Sequence, residues 1–260
     1  MIENVTIIIP TYNEKYAIAD TINALFSVFR EIDPEQFKLN ILIFDSHSPD
    51  GTADVVRDLQ KAHNNLFLLT EEHKTGLGSA YTKAMQYAMH TLKADILFEF
   101  DADGSHQPKY IPGMLQALKQ DADVVVGSRF IKYGSIPNDW SWDRKFLSYF
   151  GNYIARVLLT WRYKDFTSGF RGTRVKFLKH INLDKLLSKN YAYKMHLLWE
   201  LHCLKANIIE FPIEFINRKL GYSKFPKNNI VDSLRVVILL RLFALKNLLR
   251  GPIEHDSFSK

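Results

Sequence analysis

Two aspartates separated by a single residue, Asp101 and Asp103, follow an apolar run and open the segment Asp101-Ala102-Asp103-Gly104-Ser105-His106-Gln107. Carboxylates two positions apart at the end of a strand can turn to the same side, and their doubled negative charge calls for a hard cation. Mg2+ or Mn2+, held by one or two carboxylates and completed by substrate phosphates, is the usual answer to that demand. Gln107 offers one more oxygen. His106 suits Mn2+, but it suits a hydrogen bond to nearby backbone better. The bland alternative for Asp103-Gly104 is a solvated turn that only reverses the chain. What favours a site is company: two further apolar runs end in the same residue types, Pro10-Thr11-Tyr12-Asn13-Glu14 after one and Asp45-Ser46-His47-Ser48-Pro49-Asp50-Gly51-Thr52 after the other.

The elements that must position these residues follow from hydrophobic periodicity. Short β-branched or apolar runs at 5–9, 39–44, 66–69, 96–100 and 123–127 predict strands, and apolar residues at helical spacing between them predict helices. Alternation of the two over about half the chain is the pattern of an open, mostly parallel α/β sheet, whose ligands sit beyond the carboxyl ends of its strands. The Gly76-Leu77-Gly78 turn opens a helix but lacks the G-x-G-x-x-G spacing of a dinucleotide fold; its backbone amides are left to face an anion. The second half predicts a helix at 145–159, a Gly-rich turn at 168–172, a helix at 195–205 and a strand-like stretch at 208–215 interrupted by Pro212. No repeat or low-complexity linker divides the chain. It reads as one domain, 1–229, with a C-terminal extension, 230–260.

Composition narrows the function. The 260 residues carry 34 Lys+Arg against 28 Asp+Glu, a net +6, and the excess lies at one end. Eight basic residues and one acid fall between Asn217 and Arg250, whereas the first 216 residues are neutral overall. A generally basic nucleic-acid binder is therefore excluded in favour of a neutral domain with a local positive field. The single cysteine, Cys203, reads as a core thiol in a helix, leaves no intramolecular disulfide or Cys-rich metal site, and fits a reducing compartment. The longest apolar run, 236–240, is five residues against the ~20 that span a bilayer, and the N-terminal segment lacks the basic start of a signal peptide. A soluble or peripheral protein is expected.

The motifs PTYNE, SPDGT, the GLG turn, D-A-D-G-S-H, GSR, TSGFR and R-x-x-G-x-S-K, in this order across roughly residues 5–230, resemble family 2 glycosyltransferases, and within them the dolichol-phosphate mannose synthases. The resemblance implies a GT-A fold, a nucleotide-sugar donor, a divalent cation and a polyprenyl-phosphate acceptor. It implies that Pro10, Tyr12, Glu14 and Asp45 line the nucleobase and ribose site, with Asp101, Asp103 and Gln107 holding the metal on the donor diphosphate. Arg129 would approach the acceptor, Arg144 being a weaker candidate, and Arg218 and Lys224 would clamp phosphate oxygens as a guanidinium fork and an ammonium point charge. GDP-mannose is the favoured donor, with UDP-glucose and undecaprenyl phosphate as the alternative pair.

The chain departs from the family pattern in three places. Asp45-Ser46 replaces paired acids, His73-Lys74 replaces an arginine with Lys74 as its substitute, and His196 stands where the acid of an aromatic-x-x-Glu segment would be. These departures motivate a second reading, a non-catalytic nucleotide-sugar-binding subunit. The missing acid argues more for an acceptor that needs no general base: a phosphomonoester, with a second pKa near ~6, is already an anion, and its attack opposite the leaving group inverts the anomeric centre. Finally, Val231, Leu234, Ile238, Leu242, Leu245 and Leu249 recur at three and four, flanked by Arg235, Arg241, Lys246 and Arg250. Such a helix either packs on the core or lies in a bilayer interface, and a lipid-phosphate acceptor favours the second at a cytoplasmic membrane face. A separate membrane-anchoring subunit is left open as a partner.

Overall fold

The computed structural model describes residues 1–217 and 228–249. Seven strands form one sheet: β1 (Glu3–Thr11), β2 (Phe37–Asp45), β3 (Leu66–Thr70), β4 (Ile96–Glu99), β5 (Val124–Ser128), β6 (Arg171–Arg174) and β7 (Ile208–Pro212). Their order across the sheet is β3-β2-β1-β4-β6-β5-β7. β1 pairs in parallel with β2 from Glu3 opposite Phe37 to Thr11 opposite Asp45, so the two strands end level and their following loops share one edge. The central strands are buried on both faces, which their continuous Ile, Leu and Val runs require.

The helices are α1 (Lys15–Phe29), α2 (Thr52–Gln60), α3 (Leu77–His90), α4 (Ile111–Gln120), α5 (Trp142–Leu158), α6 (Val175–Leu178), α7 (Tyr193–Cys203) and α8 (Asn228–Leu249). One core lies between the sheet and α1, α2 and α4, through Ile7, Ile9, Ile22, Val56 and Leu115. The other lies between the opposite sheet face and α3, α7 and α8, through Ile8, Leu42, Ala84, Leu198 and Val237.

Two expectations are corrected here. The Gly-rich stretch at 168–172 is not only a turn: its end enters β6, which runs antiparallel to both β4 and β5. Arg-Gly-Thr-Arg carries no apolar alternation, and Gly172 is needed because a Cβ there would come within 2.7 Å of the Phe98 ring. The thiol of Cys203 is not a core group, since the residue closes α7 on the exposed side.

α8 packs through Val236, Val237 and Leu240, each almost wholly buried. The stripe named from periodicity lies mostly on the other side: Val231, Ile238, Leu242 and Leu245 are all exposed. Among the described residues no helix is long and apolar enough to cross a membrane.

Candidate active site

The carboxyl ends of β1, β4 and β5 open into one cavity of about 800 Å3, whose lining includes Pro10, Tyr12, Glu14, Asp101, Asp103 and Arg129. That volume is in the ordinary range for a small-molecule site. Asp101 follows β4. Its backbone N–H donates to His106 Nδ1 at 3.0 Å, so the histidine does bond backbone, and burial lowers the pKa of its ring. The neutral ring then carries its proton on Nε2, which lies 3.5 Å from Asp101 Oδ2. Asp103 Oδ1 accepts from the Ser105 N–H at 3.0 Å and its hydroxyl at 2.5 Å, across a left-handed Gly104 with φ of 76°. The Asp103-Gly104 turn therefore exists and also presents its acid to the cavity. Gln107 stands outside the lining; its Nε2 donates to the Glu214 carbonyl at 2.8 Å, and its amide oxygen takes no bond among the described residues.

Lys74 Nζ sits 3.6 Å above the Tyr12 ring, and both residues line the cavity. Asp45 lies outside this lining. It is 1% exposed, and its carboxylate accepts from the Thr11 and Ser48 hydroxyls and from the Ser48 N–H. It borders a second, polar hollow of about 560 Å3 with His47, Arg57 and Glu71. The amides that open α3 do not face an anion: Gly78 and Ser79 both donate to the Lys189 carbonyl, at 2.9 and 3.2 Å.

Arg129, at the end of β5, is gripped by a residue that sequence reading did not single out. Its Nε and Nη2 form a fork on Asp165 at 2.7 Å each, and Nη2 also donates to Thr167 Oγ1 at 2.7 Å. Asp165 is fully buried. Burial works against its charge, but the guanidinium outweighs burial and holds the carboxyl below its usual range. Among the described residues these bonds leave Nη1 uncommitted, so the pair orients a guanidinium edge beside the cavity. Arg144 lies 3.9 Å over the Trp140 ring and also lines the cavity. Arg218 and Lys224 fall outside the described residues.

Beneath the acid pair lies a buried network. Arg171 Nε donates to Glu99 Oε2 at 2.5 Å and the Tyr193 hydroxyl donates to Glu99 Oε1 at 2.6 Å. The Tyr81 hydroxyl donates to the Phe100 carbonyl at 3.1 Å. Burial, then the neighbouring carboxylates, raise the pKa of both phenols, so each remains a donor. The arginine of TSGFR thus holds α7 against β4 underneath the site. His196 is structural as well: its Nδ1 accepts from the Leu187 N–H at 2.9 Å, Nε2 meets Glu200 at 3.2 Å, and it does not line the cavity.

An apolar part of the cavity wall is formed by Phe146, Leu147, Phe150 and Ile154 of α5 and by Ile230, Leu234 and Val237 of α8. Only Asn152 and Ala155 of α5 are buried. Trp142, Phe146 and Phe150 stack in succession at 5.4 Å per step on its surface, and Trp142 is 77% exposed. Tyr149, Tyr153 and Val157 are also exposed. The i, i+4, i+8 spacing of the first three was legible beforehand, but which way they face was not.

Comparison with solved structures gives the class. Mannosyl-3-phosphoglycerate synthase from Rubrobacter xylanophilus superposes with a TM-score of 0.65 over 98% of this chain and 78% of that one, at 14% identity, a likeness of fold. The architecture is the GT-A fold of glycosyltransferases. The family model described as glycosyl transferase family 2 matches residues 6–181, and this chain belongs to that family. Among curated proteins it is similar to the undecaprenyl-phosphate mannosyltransferase of Micrococcus luteus, 36% identical over 217 residues, covering 84% of this chain and 85% of that protein. It is also similar to the polyprenol monophosphomannose synthase of Mycolicibacterium smegmatis, 32% identical over 229 residues, covering 88% and 83%.

Proposed function

We propose that this glycosyltransferase moves mannose from GDP-mannose to a polyprenyl phosphate, with inversion, at the cytoplasmic face of a membrane. The observation that carries the reading is the continuity of one cavity. It is lined at once by Tyr12 and Lys74, two acids, a buried arginine and apolar side chains of two helices whose outer faces are also apolar. A nucleotide sugar meets the polar wall and a lipid chain the apolar one. The mannosyl specificity of the similar curated proteins supports the sugar.

The residues fit a divalent cation at Asp101 and Asp103, two hard oxygen donors inside the cavity; Gln107, bonded to the Glu214 carbonyl outside the lining, would have to turn inward to supply a third. Among the described residues no cluster of three His, Cys, Asp or Glu forms a closed metal site, so the donor diphosphate would complete the coordination. Such a cation supplies charge neutralisation to the departing diphosphate. Arg129, held by Asp165, directs Nη1 to the acceptor phosphate, and Arg218 and Lys224 add charge at the same anion. One acceptor oxygen forms the bond to the anomeric carbon while the bond from that carbon to the diphosphate breaks, its electron pair leaving with GDP. No proton has to be removed from a phosphate that is already an anion. A buried His196 in place of an acid is therefore no obstacle.

In this reading Pro10, Tyr12 and Glu14 serve the nucleoside, with Asp45 acting on it through the Thr11 and Ser48 it holds, residues 1–229 form the catalytic unit, and 230–260 contribute the membrane-facing helix and tail. The exposed apolar face of α8, with Arg235, Arg241 and Lys246 beside it, and the Trp- and Tyr-rich face of α5 suit a bilayer interface with anionic headgroups. The test is incubation of the full chain with radiolabelled GDP-mannose or UDP-glucose, a short polyprenyl phosphate, and Mg2+ or Mn2+. Lipid-linked mannose of inverted anomeric configuration is expected. Glucose transfer alone replaces the donor, and absence of any lipid-linked product overturns the reading.

A further inference from the structure

The first turn of α7 places an ammonium group, not a carboxylate, beside the acid pair. The Lys194 side chain is 2% exposed, yet it lines the cavity. Its Nζ lies 3.8 Å from Asp101 Oδ1, too far for a hydrogen bond, and 4.8 Å from the centre of the Tyr191 ring. Among the described residues Nζ makes no hydrogen bond, so three donors of a desolvated cation are unspent. The space it occupies is made for it. A Cβ on Gly169 would come within 2.1 Å of Nζ and 3.3 Å of Asp101 Oδ2. The backbone is fixed too, since the Lys194 carbonyl accepts from Arg171 at 3.2 Å.

A buried cation demands an anion, and Asp101 is a poor permanent partner because it is the acid proposed to face a divalent metal. We infer that Lys194 is a further acceptor-binding residue, donating to a phosphate oxygen of the lipid monophosphate. The assignment rests on the phosphate-acceptor reading above. Placement selects the acceptor over the donor diphosphate: Lys194 packs on Gly169, in the same segment whose Thr167 hydroxyl holds Arg129 and whose Thr167 carbonyl accepts from the Tyr191 hydroxyl. Lys194 and Arg129 thus both pack on one short loop, 167–169, and both line the cavity. Two cations held against that loop fix the phosphate in position for attack.

Steady-state kinetics on the full chain, with GDP-mannose binding measured by calorimetry, tests this. Lys194→Met should raise the KM for a short polyprenyl phosphate about 10- to 100-fold, the loss of one charge-assisted hydrogen bond, with GDP-mannose affinity within about 2-fold of wild type. Gly169→Ala, which keeps the amine but displaces it, should raise the same KM. Should Lys194→Met melt far below wild type, Lys194→Gln, neutral and of similar length, takes its place. An unchanged acceptor KM, or a loss confined to GDP-mannose affinity, overturns the assignment. So does failure of all three variants to keep the wild-type melting transition, since Lys194 is then structural. A wild-type chain that forms no lipid-linked sugar overturns the underlying reading instead.

Discussion

Replacing Ile238 and Leu242 of α8 by alanine tests whether this surface meets a bilayer. The two side chains are 49% and 54% exposed, one turn apart on the same face, and neither lines the cavity. Each substitution removes three carbons, worth ~0.8 kcal/mol apiece on complete transfer out of water. About half of that gain is still available to a membrane, so each contributes about 1.2 kcal/mol and the pair about 2.4 kcal/mol. At 1.4 kcal/mol per decade the double variant should bind anionic phospholipid vesicles about 50-fold more weakly. Alanine is the best helix former, so α8 itself should persist. Vesicle sedimentation supplies the affinity, with calorimetric GDP-mannose binding and thermal melting as controls. A change below about 3-fold, with both controls at wild-type values, would show that α8 does not lie in the interface. An equal fall in vesicle and donor binding would show that the face covers the domain instead.

Asp103→Asn should abolish detectable transfer while leaving the melting temperature near wild type, because its neighbours at the turn keep a side-chain oxygen to bond; retained turnover would remove it from the metal site. Asp165→Asn leaves Arg129 buried without its counter-charge and should cost about 3–5 kcal/mol in urea unfolding at neutral pH. Because the folded Asp165 carboxyl titrates below its unfolded value of ~3.9, its stabilisation is present above that value and is lost as the pH falls through the folded one. The gap between wild type and variant should therefore narrow below about pH 4, and a constant gap would contradict the pairing. Arg171→Met, which strands Glu99 in the interior, should destabilise by about 3–5 kcal/mol, and adding Glu99→Met should restore most of that loss.

The layout of the site was readable because three of its loops follow strands with unmistakable β-branched cores, and parallel strands bring their carboxyl ends to one edge. β6 escaped because Arg171, Gly172, Thr173 and Arg174 serve pairing, packing and ion pairs with no apolar alternation. Asp165 escaped for a different reason: its partner is 36 residues away in the chain, and no spacing rule connects a strand-end arginine to a loop acid. The apolar rows of α5 and α8 were visible as periodicity. Periodicity reports that a helix has an apolar face and not what covers it, and α8 carries two such faces. The tightest surprise is Lys194, which precedes His196 on the same turn: attention to the missing acid concealed the cation that enters the cavity.

The order of strands has a consequence for how the chain is made. β5 bonds to β6 and β7, and β4 reaches β5 only through β6. When Ser128 leaves the ribosome, β5 therefore has no neighbour, and roughly 40 further residues, about 2–8 s of synthesis, must follow before β6 is available. During that interval β4 is an open edge beside the acid pair, and β5 is an apolar strand with nothing to pair with, a form prone to sticking to other chains. Asp101 and Asp103 thus emerge early, whereas the strand that seats Arg171 beneath them arrives late. A chain cut short before Arg171 would own the acid pair without the sheet that supports it.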